Sequence, residues 1–133
     1  MQNKLYTMRE AGQMAGLSYD TIKFYCNKGL VPNVQRDKNN YRVFDEKMIN
    51  WLDSLSCLKK CGMSITDMQQ YLDYCLEGES SIPQRQAMLE EKRHILVAQL
   101  KQIEDSIAYI DFKQDFYNKV LAGEIPYVSN LTM

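Results

Sequence analysis

Apolar and polar positions alternate along the chain in helical stretches separated by turn residues, and the most regular stretch is the last. Positions 89, 93, 96, 100, 103, 107, 110, 114, 117 and 121 step by alternating four and three. They carry Leu89, Arg93, Leu96, Leu100, Ile103, Ile107, Ile110, Gln114, Tyr117 and Leu121. Eight of these ten are apolar, a heptad seam sustained past the roughly three or four repeats that mark a coiled coil. From Gln84 to Leu121 such a helix is roughly 55 Å long at ~1.5 Å per residue. It is too long to bury its seam against a preceding module of about 80 residues, so the seam predicts a partner helix, most simply that of a second copy.

The earlier stretches are shorter and carry clear boundaries. Thr7 followed by Glu10 is a capping-box pattern. It starts a helix whose expected buried stripe is Ala11, Met14 and Ala15, and Gly16-Leu17 ends it. Ser18 then caps a second helix, Tyr19 to about Asn27, with Ile22 and Cys26 pointing one way and Gly29 closing it. After Pro32, residues 33–44 (NVQRDKNNYRVF) read as a hairpin, because Asn39-Asn40 tolerates the positive φ of a tight turn. Asp45 caps a third helix, Glu46 to Lys60, with Ile49, Leu52, Leu55 and Leu58 inward and Trp51 at their flank. Ser64 to Asp67 opens a fourth, whose stripe is Met68, Tyr71, Leu72 and Cys75. Gly78 to Ser81 is a linker, and Pro83 stands where a helix begins. The expected organisation is a helix-turn-helix with a hairpin over 1–44, a second helix pair over 45–79, a long helix over 80–121 and a tail over 122–133.

Charge sharpens this picture. The net charge of −1 hides a net +4 over residues 1–42 and −5 over 43–133. A basic N-terminal third on an acidic body fits a nucleic-acid-reading module joined to something else. The outward face of the second helix offers Tyr19, Thr21 and Lys23, which suit phosphate and base-edge contacts. Arg36 and Arg42 flank the hairpin turn with Tyr41 beside them, as a wing gripping the phosphate backbone would require.

Other chemistry is sparse. There is one histidine, no glycine-rich phosphate loop and no nucleophile–base set, so an enzyme is not expected. Acid pairs such as Glu90-Glu91 and Glu104-Asp105 fall on the solvent side of the long helix. Neither a cofactor nor a metal site is expected, since His94 has no cysteine within a turn and a soft-metal site needs clustered thiolates or imidazoles. No run reaches transmembrane length and no signal peptide opens the chain. The expectation is therefore a cytoplasmic protein without membrane attachment, whose four cysteines (Cys26, Cys57, Cys61, Cys75) are thiols.

Several motifs together resemble the MerR family of transcriptional regulators. They are Tyr6-Thr7, Ala15 to Ser18, Thr21 to Tyr25, Gly29 to Pro32, Asn40 to Phe44 and Leu58 to Ile65. The resemblance implies an all-α fold with a small β wing: a winged helix-turn-helix, a helix pair, and a long helix pairing antiparallel with its copy. It implies a homodimer on a pseudo-palindromic operator that bends and untwists promoter DNA for RNA polymerase. It would put Tyr19, Thr21, Lys23 and Tyr25 at the major groove or its phosphates, and Arg36, Tyr41 and Arg42 in the wing contacts. Leu89, Leu96, Leu100, Ile103, Ile107, Ile110 and Tyr117 would form the dimer seam. Cys26 replaces the acidic residue usual after Phe24-Tyr25 and is read as core.

Three effectors compete. Soft-metal sensing lacks cysteines at Ser80 to Gln84 and beyond Cys75. A non-covalent ligand would lack the large C-terminal domain of drug-sensing relatives, leaving a small interface pocket near Tyr71, Tyr74, Tyr109 and Phe112. Thiol chemistry centres on Cys57, whose helix, together with the stretch Ile110 to Lys113, is similar to the aldehyde- and electrophile-responsive subgroup of stress regulators. Cysteines on an amphipathic helix are first of all small hydrophobes, and Lys59 and Lys60 nearby would favour a thiolate.

Overall fold

The computed structural model describes residues 4–129 and 131. In chain order the elements are β1 (Tyr6–Thr7), α1 (Met8–Ala15), α2 (Tyr19–Asn27), β2 (Gln35–Arg36), β3 (Arg42–Phe44), α3 (Glu46–Lys60), α4 (Ile65–Glu77), a 3-10 turn (Glu79–Ser81) and α5 (Ile82–Leu121). The chain divides into two compact units, Met1–Arg93 and His94–Met133. The fold is mostly helical with one small sheet, as the apolar pattern implies.

In the first unit the helix starts are chemically explicit. Thr7 Oγ1 accepts from Glu10 N at 3.1 Å, and Glu10 Oε1 accepts from Thr7 N at 3.0 Å, so two otherwise unpaired backbone donors of α1 are satisfied reciprocally. Ser64 and Asp67 repeat the arrangement at α4. Ser18 and Asp45 cap α2 and α3 through Thr21 N and Met48 N. Gly16 ends α1 at φ 70° in the left-handed region, which costs a residue without Cβ little.

The buried face of α1 differs in phase from the expected stripe. Met8, Ala11 and Gly12 are buried with Ala15 half-buried, whereas Met14 is 53% exposed. Gly12 sets the phase. A Cβ on it would lie 2.7 Å from the Leu17 carbonyl oxygen, and Leu17 N donates to Gly12 O at 2.9 Å. The turn before α2 thus presses directly on the helix backbone, and Met14 is left outside.

One strand of the sheet has no counterpart in the sequence pattern. Tyr6 and Thr7 pair antiparallel with Phe44 and Val43, and Gln35 and Arg36 pair with Val43 and Arg42, giving the strand order β1-β3-β2. The hairpin is therefore stitched to the start of α1. Beneath it lies one apolar core built from Met8, Ala11, Ile22, Tyr25, Leu30, Phe44, Ile49, Leu52, Leu55, Leu58, Met63 and Met68. Trp51 packs at its edge and donates from Nε1 to the Leu30 carbonyl at 2.7 Å.

The bend from α4 to α5 is a hydrogen-bonded elbow. Ser81, buried, donates to the Tyr74 carbonyl, and its hydroxyl also lies within hydrogen-bond distance of the Gly78 carbonyl. Arg85 donates to Ser81 Oγ at 3.0 Å and to the Gly78 carbonyl. Together these satisfy carbonyls that the end of α4 leaves unpaired. Lys92 pairs with Asp67 at 3.0 Å, fixing the first turns of α5 to the start of α4 within this unit.

The second unit is the rest of α5 and the tail. Gly123, at φ 75°, turns the chain: Gly123 N donates to Val120 O, and Glu124 N to Lys119 O at 2.9 Å. Leu96, Leu100, Ile103, Ile107, Ile110, Tyr117 and Leu121, with Leu89 in the first unit, are all exposed. The described residues of α5 include no buried one.

Candidate nucleic-acid interface

The exposed face of α2 and the hairpin beside it form the candidate site. Ser18 Oγ accepts from Thr21 N at 3.1 Å and shares a hydrogen bond with Thr21 Oγ1 at 2.8 Å. The Thr21 hydroxyl is thus oriented by the cap and half-buried. Tyr19, at 57% exposure, and Lys23 stand on the outer face, with Phe24 beside them. Lys28 Nζ lies 5.7 Å from the Phe24 ring centroid, a cation–π contact that holds a further positive charge at the C-terminal end of the same face.

Tyr25 lies mostly behind this face, although it reaches the groove lined by Asp20, Thr21 and Phe24. It is 2% exposed and belongs to the core. Burial also raises its phenol above the ordinary tyrosine range. The reason is helical phase: Ile22 and Tyr25, three apart, share the inward side.

The wing is a compact turn. Asp37 Oδ1 accepts from Asn39 N at 2.9 Å and from Tyr41 N at 3.0 Å, and Asn40 adopts φ 67°. Arg36 donates to the Asn40 carbonyl at 2.9 Å, so its guanidinium braces the turn. Arg42 donates to Asn27 Oδ1 at 2.9 Å, tying the wing to the end of α2. Tyr41 stands 69% exposed beside them, and Lys38 is exposed at the tip. Arg36, Tyr41 and Arg42 thus share one hairpin alongside α2, as the sequence spacing implies, and each arginine has guanidinium donors left after its one hydrogen bond.

One contribution to the site goes beyond the residues expected from sequence. Lys59, at the end of α3, lines a shallow groove with Asp20, Thr21 and Phe24 of α2 and with Ser64 and Ile65 at the start of α4. The groove places an ammonium group and a helix N-terminus beside the reading face. The signal was present in the Leu58 to Ile65 motif, but nothing in the sequence spacing sets that turn against α2.

The cysteines are distributed unequally. Cys57 is exposed, while Cys26, Cys61 and Cys75 are half-buried. Cys26 packs against the core behind α2. Burial pushes its thiol up, and the positive charges of Arg42 and Arg36 oppose that in part. Burial likewise raises Cys75, with Arg85 opposing. Among the described residues no group of three or more His, Cys, Asp or Glu side chains is placed to hold a metal ion. No helix among them is long and apolar enough to cross a membrane.

The same architecture recurs in known proteins. Residues 6–75 match the family model described as MerR HTH family regulatory protein. An uncharacterized HTH-type transcriptional regulator of Haemophilus influenzae is 32% identical over 88% of this chain and 87% of its own length. The HTH-type transcriptional regulator AdhR of Bacillus subtilis is 28% identical over 66% of this chain and 63% of its own. Among solved structures, HiNmlR, a MerR family regulator lacking the sensor domain and bound to promoter DNA, superposes with a TM-score of 0.75 at 32% identity, covering 90% of both chains. A MerR family regulator from Bacillus thuringiensis gives 0.70 at 28% identity over 86% of this chain and all of the other.

Proposed function

The chain belongs to the MerR helix-turn-helix family of transcriptional regulators, a DNA-binding regulator and not an enzyme, and from that premise we propose that it acts in the cytoplasm as a homodimer on a pseudo-palindromic promoter operator. Two copies of α2 enter the major groove, with Tyr19 and Lys23 outermost and Thr21 positioned by Ser18. Arg36, Tyr41 and Arg42 of each wing grip flanking phosphates. Bending and untwisting the intervening DNA costs about 1–6 kcal/mol, offset by phosphate contacts from both halves, and brings the promoter elements into a geometry RNA polymerase uses.

The observation that carries this reading is the pairing of a basic reading face in one unit with a long apolar seam left exposed along α5. A single copy has one recognition helix, and the seam supplies the second. The test is binding of the purified chain to DNA upstream of its own gene across a salt series. We expect Arg42→Ala to weaken binding to all sequences alike and to lower the salt slope by about one for each phosphate no longer neutralised, with a melting temperature near that of the parent. Unchanged affinity would remove the wing from the interface.

For the effector, the exposure of Cys57 favours thiol modification over metal or non-covalent triggering. Its sulfur adds to an aldehyde carbonyl carbon as the carbonyl π bond opens, and the thiol proton ends on the carbonyl oxygen. In a promoter-reporter assay, Cys57→Ala should lose induction by aldehydes while binding the operator as tightly as the parent chain. Full induction in that variant would return the trigger to a non-covalent ligand or soft metal.

A further inference from the structure

The end of α3 carries two thiols, and an aldehyde trigger at Cys57 uses only one of them. Cys57 and Cys61 lie four residues apart, and the Cys61 N–H donates to the Cys57 carbonyl at 3.0 Å, so one closed helical turn separates them. Cys61 itself keeps right-handed helical backbone angles, φ −75° and ψ −3°. The turn is held from both sides. Gly62 N donates to the Lys59 carbonyl at 3.0 Å and Met63 N to the Leu58 carbonyl at 3.2 Å, and Leu58 and Met63 are anchored in the core. Cys57 is exposed and Cys61 half-buried. Two thiols are thus carried on one helix face by backbone that is already fixed.

Geometry decides what can join them. Side chains at this spacing have Cβ atoms about 5–6 Å apart, whereas a disulfide needs about 3.5–4.5 Å. A direct sulfur–sulfur bond would distort the turn, and a single atom held between the two sulfurs would not. Among the described residues no third His, Cys, Asp or Glu is placed with the pair to hold a metal ion, so a four-ligand zinc centre is not built here. The pair suits a centre that two thiols satisfy. We propose that Cys57 and Cys61 form a dithiol site for trivalent arsenicals. With an arsine oxide, both arsenic–oxygen bonds break and two arsenic–sulfur bonds form. The two thiol protons leave with the oxygen as one water, and neither sulfur nor arsenic changes oxidation state. Lys59, two positions on from Cys57, stands across the helix and lines the groove with α2, so the bridge leaves that groove open. The proposal does not rest on the aldehyde trigger, which needs Cys57 alone.

The experiment treats the reduced full chain with phenylarsine oxide and follows adducts by intact mass. We expect one arsenical per chain, with Cys57 and Cys61 both protected from iodoacetamide in peptide maps while Cys26 and Cys75 alkylate as in the untreated chain. Mercaptoethanol, a monothiol, then competes for the bound arsenical. Cys57→Ser and Cys61→Ser should each weaken retention by about 10²-fold or more, because the second sulfur no longer closes an intramolecular ring. The double variant Cys26→Ser, Cys75→Ser should retain the arsenical as the parent does. Cys57 is exposed, so its variant tests the pair without touching the core, and Cys61→Ser should still respond to aldehydes in the reporter assay. Retention equal to the parent in either single variant overturns the proposal. So does protection of Cys57 together with Cys26 or Cys75, or an adduct that leaves Cys61 open to alkylation.

Discussion

At the residue scale the sharpest contrast is Tyr25 against Lys23. Both lie on the helix that carries the reading face, two positions apart, and the family resemblance puts both at the DNA. Burial separates them, with Tyr25 in the core and Lys23 in solvent. Removing a fully buried aromatic ring costs about 3–5 kcal/mol. We therefore expect Tyr25→Ala to lower the stability of the first unit by that order in urea denaturation. Lys23→Ala should leave the urea midpoint within the small range of a surface substitution and weaken operator binding. A Tyr25→Phe variant that keeps stability but loses operator affinity would put the phenol back at the DNA. Met14 follows the same logic. Its spacing from Ala11 fits a buried stripe, yet Gly12 takes the inward position because a turn backbone must approach there, and closeness of backbone to backbone leaves no periodic trace in the sequence.

At the element scale, helix boundaries were legible because capping chemistry is local. Ser18, Asp45 and Ser64 each fix a start through a side chain three residues from its backbone partner. Strand β1 was not legible: two residues have no periodicity, and Thr7 already served as the cap of α1. The approach of Lys59 to the reading face was hidden for a related reason, since it depends on how the α3–α4 turn packs and not on spacing within either helix. The capping boxes also make the fold sensitive to acid. Hydrogen bonds from the Thr7 backbone and side chain hold the Glu10 carboxyl below its ordinary value. Lys92, with the Ser64 backbone, does the same for Asp67. A carboxylate with a lowered folded-state pKa contributes stability above its unfolded value, near about 4, and loses it as pH falls through the folded value. Thermal melts from pH 6 downward should show stability dropping below about pH 4–5. The double variant Glu10→Gln, Asp67→Asn keeps the box acceptors but does not titrate, so its curve should be flatter. An identical slope in parent and variant would place the acid sensitivity elsewhere.

At the scale of the whole molecule the governing fact is that α5 has no buried residue among those described, although eight of its ten seam positions are apolar. Leu100, Ile103, Ile107 and Ile110 are each more than half exposed. In the proposed dimer, fully burying one such side chain of the seam contributes about 1.5–3 kcal/mol, which opposes the entropic cost of bringing two chains together. Placing two carboxylates at its middle reverses that balance, because a charge carried into an apolar interface without a partner is far costlier than one left in water. Ile103→Asp, Ile107→Asp should therefore sediment as a monomer while the first unit keeps its melting transition, its core lying entirely outside the seam. Operator binding should then fall to the weak, salt-sensitive level of a single reading head, since the second recognition helix no longer arrives with the first and the gain in effective concentration disappears. If the variant sediments as a monomer yet binds the full operator as tightly as the parent chain, one α2 and one wing suffice for recognition, and the seam serves some purpose other than presenting a second copy to the DNA.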